Sequence, residues 1–169
     1  KAILPKVEQH DWPQNAIDYF VLDRLEVLKE RPSPKAGKEK LLRRVSFDLT
    51  GLPPNPKSID AFLASDYSNA FEILVDKYLA SESFGERMTT EWMDLARYAE
   101  TNGIHHDLER NMWPWRDWVI KAFNENVSYD QFVTWQLAGD LLPEPTYEQL
   151  LATAFNRNNR TTQECGSLD

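Results

Sequence analysis

An all-α fold is what this sequence predicts. Apolar residues recur at three- and four-residue spacing in one segment after another. Residues suited to capping helix starts stand at the head of several of these segments. No stretch alternates apolar and polar residues over strand length. The 169 residues fit one domain and can bury a core. The expected layout is an extended lead-in over residues 1–15, about seven or eight short helices over 16–156, and an irregular polar tail over 157–169.

The first helix is expected from about Ala16 to Lys29, with Ile17, Phe20, Val21, Leu25 and Leu28 inward. RPSPKAG breaks it. A second, from about Lys38 to Leu49, places Leu41, Leu42, Val45 and Leu49 on one side, and Gly51 suits the position just past its end. Asn55 and Pro56 form a cap and first turn, with Ile59, Phe62 and Leu63 facing inward. Ser68 is the expected cap for Phe71, Leu74, Val75, Tyr78 and Leu79. Three capping boxes follow: Ser83 with Glu86, Ser128 with Gln131, and Thr146 with Gln149. After Ser83, the inward set is Phe84, Met88, Trp92, Leu95, Ala96 and Ala99, with Gly103 as the stop. Pro114 suits the first turn of a helix burying Trp115, Trp118, Val119 and Ala122. After Ser128 come Phe132, Val133, Gln136 and Leu137. After Thr146 come Leu150, Leu151, Ala154 and Phe155.

The net charge of −8 and the isoelectric point near 4.9 argue against nucleic acid, which needs a basic face. They also disfavour an anionic membrane surface. No apolar run approaches a membrane span, and no signal peptide opens the sequence. The single cysteine, Cys165, allows no intrachain disulfide. It has no base near it in sequence, which argues against a nucleophile. Neither a phosphate-cradling Gly-rich loop nor G-x-S-x-G nor H-E-x-x-H occurs.

The stretch Glu91–Pro143 is where a site is expected. Trp92, Trp113, Trp115, Trp118 and Trp135 lie there, five of the six tryptophans. Polar groups that could converge are interleaved with them, a pattern of core with a pocket at its edge. Asp94 and Arg97 form either a carboxylate clamp or a solvated surface pair. The loop ETNGIHHDLER, residues 100–110, has no apolar reason to exist, and loops between helices commonly carry ligand contacts. His105 and His106 are adjacent, which rarely aims two rings at one ion, so no metal site is expected. Trp113 precedes its helix and is the aromatic most suited to an exposed platform. Arg116 and Asp117 beside it either bind a polyol or carboxylate or tie two helices together. Asp140, Arg157, Asn158 and Asn159 suit either oxygen-rich ligands or helix-end capping. The expected ligand set is Arg97, Asn102, Trp113, Arg116, Asp117 and Arg157. Glu100 and Asp140 are the candidate proton acceptors.

Five stretches together resemble one family: Ile17–Glu26, Leu41–Ser65, Phe84–Gly103, Trp113–Val133 and Gln136–Pro143. RRVSFDLTGLPP and QLAGDLLP are the most specific. They are similar to the planctomycete cytochrome-associated domain of unknown function, found in large exported proteins. The resemblance implies an exported, periplasmic or cell-envelope location and cytochrome-like and C-terminal partner domains. It also implies a c-type haem carried by a Cys-x-x-Cys-His motif beyond Asp169, so the polar tail is expected to lead into further chain. With one cysteine the sequence cannot form the two-thioether attachment itself. Two positions depart from the family pattern, Asn156 replacing the His of F-H-R-N and Cys165 the first Gly of E-G-G, and the loop Ile104-His105-His106 is particular to this sequence. The implied role is a helical domain of a redox protein acting on a carbohydrate or other oxygen-rich substrate. The alternative is a non-catalytic module binding glycan or protein in a cell-envelope protein. No catalytic residue is carried over from the family.

Overall fold

Three helices begin where a side chain (Asn15, Asn55 or Thr146) accepts from a backbone N–H that the helix cannot pair internally. The computed structural model describes residues 2–104 and 107–161, so His105, His106 and Cys165 lie outside the described residues. Among the described residues there are eight α-helices and no strand: α1 Ala16–Val27, α2 Lys38–Thr50, α3 Pro56–Leu63, α4 Ala70–Leu79, α5 Glu82–Ala96, α6 Trp113–Asn124, α7 Tyr129–Ala138 and α8 Tyr147–Ala152. Two 3-10 turns, Gly139–Leu141 and Thr153–Arg157, follow α7 and α8. No helix among the described residues is long and apolar enough to cross a membrane. The all-α expectation is met.

The chain divides into two units, residues 1–37 and 38–169. In the first, the Asn15 side chain accepts from Ile17 and Asp18 N–H while Asp18 accepts from Asn15 N–H, a complete capping box. The Glu26 carboxylate accepts from the Glu8 and Gln9 N–H groups at 3.0 and 3.1 Å, tying the lead-in to α1. Leu22 is buried; Ile17, Phe20, Val21 and Leu28, expected inward, are exposed. The expectation fails because apolar residues surround this helix and leave no clear stripe, so periodicity does not choose a face.

The second unit holds two cores. Leu42, Phe62 and Leu74 of α2, α3 and α4 form the smaller. Asn55 caps α3 through Lys57 N–H with Pro56 in the first turn, and Gly51, past α2, takes φ +69°, both as expected. The start of α4 falls to Asn69 rather than Ser68. The larger core joins α5, α6, α7 and α8 through Ala96, Trp115, Trp118, Val119, Ala122, Phe132 and Ala152. Trp118 stacks on Phe132 at 5.5 Å and 10° between ring planes. Trp92 meets the edge of Phe132 at 5.1 Å, and its Nε1–H donates to buried Gln136 Oε1 at 3.0 Å.

Of the three capping boxes, Thr146 with Gln149 forms. Ser83 lies inside α5, whose start is Ser81; the Ser81 hydroxyl donates to the Tyr78 carbonyl instead. Ser128 does precede α7, but its side chain makes no cap bond; its hydroxyl pairs with Asp130 and holds that carboxyl below the usual range. The expected stop at Gly103 is also corrected. α5 ends at Ala96, where Arg97 turns left-handed at φ 56°, and the Arg97 and Tyr98 N–H groups bond back to Asp94 and Met93 carbonyls.

Leu95, Leu137 and Leu150, expected inward, are exposed. The buried face of α5 includes Ala96, as expected, and continues through Gly85 and Thr89, small residues that let α6 come close. Hydropathy favours large residues and overlooks such a face. At Gly85 a Cβ would stand 2.5 Å from the Ile120 carbonyl oxygen and 2.6 Å from Asn124 Cγ. Asn124 fixes this approach, accepting from Gly85 N–H at 2.8 Å and donating to the Glu82 carbonyl at 3.2 Å. Gly85→Ala should therefore destabilise the domain by about 2 kcal/mol, the usual scale of overpacking. Chemical denaturation measures it, and an unchanged midpoint would refute the close approach.

Candidate functional site

A cleft of about 390 Å³ opens between the end of α5, the loop that follows, and the segment after Thr153–Arg157. Its first wall begins at the left-handed Arg97 and continues through Tyr98, Ala99, Thr101, Asn102 and Gly103. The loop then doubles back. Asn102 N–H donates to the Leu108 carbonyl at 3.0 Å and Arg110 N–H to the Glu100 carbonyl at 2.8 Å, around an isolated antiparallel bridge of Thr101 and Glu109. Exposed Asp107 accepts from Gly103 N–H, and that bond, with the Thr101 hydroxyl, lowers its carboxyl pKa.

The second wall is Asn158, Asn159 and Arg160. Arg110 holds it: Nη1 donates to the carbonyls of Arg157 at 2.8 Å and Asn159 at 3.0 Å. Thr161 adds a strand-like contact, its N–H to the Asn102 carbonyl at 3.2 Å and its hydroxyl to Asn102 Oδ1 at 3.1 Å. Buried Asn158 donates from Nδ2 to the Phe155 carbonyl at 3.1 Å, which fixes its amide orientation. Its Oδ1 is buried and has no hydrogen-bond partner among the described residues.

Arg97, Arg110 and Arg160 all line the cleft, and among the described residues no Asp or Glu does. In a chain of net charge −8 this is a local reversal of sign. Guanidinium groups and amide side chains suit carboxylates and other oxygen-rich groups.

The structure places the sequence candidates in several locations. Arg97 and Asn102 line the cleft. Asp94 and Arg97 form no ion pair with each other among the described residues. Glu100 lies behind the first wall with both carboxylate oxygens engaged: Oε1 accepts from the Tyr98 hydroxyl and Oε2 from Met112 N–H at 2.8 Å. A carboxylate there also suits the positive end of α6. Arg116 pairs with Asp117 through Nε and Nη2 at 3.0 and 2.8 Å, outside the cleft lining. Trp113 is about half exposed at the start of α6, while Asp140 and Arg157 are exposed; none of the three lines the cleft. Arg110, Arg160 and Tyr98 were not singled out by the sequence. Arg110 closes the polar loop 100–110, and that loop was the available signal.

The family model described as PSCyt2, protein of unknown function (DUF1549), matches residues 16–169. The chain belongs to this family. No curated protein and no solved structure matches it.

Burial first, then the Glu100 carboxylate, push the Tyr98 phenol up to about 12 from its ordinary 10.0. A phenol pKa raised on folding contributes stability that is full below pH 10.0 and is lost as pH rises toward about 12. Wild type should lose stability across that alkaline window, and Glu100→Gln should reduce the pH dependence. Denaturation midpoints against pH test this; parallel curves for the two proteins would contradict it.

Proposed function

We propose that this domain binds an anionic, oxygen-rich ligand, with an acidic carbohydrate as the preferred class. The observation that carries this is the cleft lined by Arg97, Arg110 and Arg160, with no carboxylate in its lining among the described residues. Arg110 is occupied in holding the second wall, which leaves Arg97 and Arg160 as the ligand-facing cations. Asn102, Asn159 and Thr101 add polar groups for hydroxyls. A pocket of this size accommodates one or two sugar rings.

The geometry favours binding over acid–base catalysis in this cleft. Glu100 has both oxygens engaged, and Asp140 lies outside the lining. The resemblance to exported, cytochrome-associated proteins supports a setting in the periplasm or cell envelope, where a neighbouring haem domain of the same protein would act on what this domain holds. The haem itself does not fit this sequence, because its one cysteine cannot supply two thioethers. In that arrangement this domain selects and positions the ligand.

Arg97→Gly tests the reading. Glycine suits the left-handed backbone at φ 56°, so the variant should melt at or above the wild-type temperature. Its affinity for sodium glucuronate in titration calorimetry should fall at least about tenfold, the scale of one charge-assisted hydrogen bond. Unchanged affinity would overturn the assignment.

A further inference from the structure

The second wall of the cleft contains an acceptor that a simple anion cannot use. Asn158 is 6% exposed. Its Nδ2 donates to the Phe155 carbonyl, so Oδ1 is the remaining function of the amide. That oxygen is buried and has no hydrogen-bond partner among the described residues. Asn102, on the facing wall, accepts from the Thr161 hydroxyl through its Oδ1, so that oxygen already has a partner while Nδ2 remains a donor. The cleft therefore combines guanidinium donors with one unsatisfied neutral acceptor.

A buried acceptor left without a partner is costly, and a group that supplies a proton donor to it recovers that cost. Asn158 Oδ1 is already shielded from water, so a ligand hydroxyl meeting it breaks no hydrogen bond to solvent. A fully ionised sulfate or a bare carboxylate has acceptors only. Such an anion satisfies the arginines but is repelled by a carbonyl oxygen.

We propose that the ligand of this cleft is a hydroxy-carboxylate: its carboxylate meets Arg97 and Arg160, and a hydroxyl on the same molecule donates to Asn158 Oδ1. This rests on the anion-binding reading above and narrows it. Asn159 and Arg160, next to Asn158 in the chain, are exposed and line the same wall. The sources of such a ligand are sugar acids, free or within a polysaccharide; inorganic anions and apolar acids are excluded from the preferred set.

The test compares three probes on the folded wild-type domain by titration calorimetry at one ionic strength. Glucuronate carries the carboxylate and the hydroxyls. Cyclohexanecarboxylate has the same ring size and charge without hydroxyls. Sulfate is the inorganic control. Glucuronate should bind about tenfold tighter than either, the scale of one recovered hydrogen bond. Asn158→Ala, checked for native circular dichroism, should bring glucuronate down to the level of cyclohexanecarboxylate while leaving the latter unchanged. A variant that fails to fold leaves the three-probe comparison decisive. Equal binding of glucuronate and cyclohexanecarboxylate would overturn the hydroxy-carboxylate assignment and leave the anion reading standing. Binding of none of the three would overturn both.

Discussion

One guanidinium ties the two walls of the cleft together. Arg110 projects from the returning arm of the loop after α5 and reaches the carbonyls of Arg157 and Asn159. A longer contact runs from its Nε to the Ala99 carbonyl. These carbonyls belong to segments far apart in sequence, and each would otherwise need its own partner. Arginine suits the task because its planar fork offers several donors at fixed angles. A lysine would supply one point charge and could not hold both walls in the same way. Thr161 and Asn102 reinforce the junction from the other side.

Beneath that junction, the tryptophan core keeps the two walls from moving independently. Trp115 contacts Tyr98 of the first wall at 6.0 Å and Phe155, just before the second, at 5.9 Å between ring centroids. Glu100 adds a polar tie, joining Tyr98 to the start of α6 through Met112 N–H. The carboxylate proposed as a base is thus an anchor for the scaffold. A ligand entering the cleft meets surfaces whose positions are already fixed, which lowers the ordering cost of binding.

Much of the fold was legible in the sequence where one strong local signal decided the outcome. Pro114 and the four apolar residues Trp115, Trp118, Val119 and Ala122 define α6, and all four are buried. Asn55 with Pro56, and Thr146 with Gln149, mark helix starts because their side chains reach only nearby backbone. The failures share a cause. At Ser83 and Ser68 more than one residue could open the helix, and the sequence does not rank them. Along α5 the close approach uses Gly85 and Thr89 beside the expected Ala96, and Leu95, although large and apolar, is exposed. Of the cleft, the polar loop 100–110 and the cluster Arg157–Asn159 stood out as unusual. Their meeting did not, because Asn102 and Thr161 touch across 59 residues and no local pattern encodes that contact. Arg110 and Arg160 carry no signature apart from it.

The most direct test of the central claim observes the arginines themselves. Nuclear magnetic resonance of the side-chain Nε–H groups, recorded while an acidic sugar is added, distinguishes arginines by position. Saturable shifts are expected at Arg97 and Arg160, with Arg43 and Arg87, which lie outside the cleft lining, unmoved. Shifts spread evenly over all arginines, or none at Arg97 and Arg160, would contradict a specific anion site in the cleft.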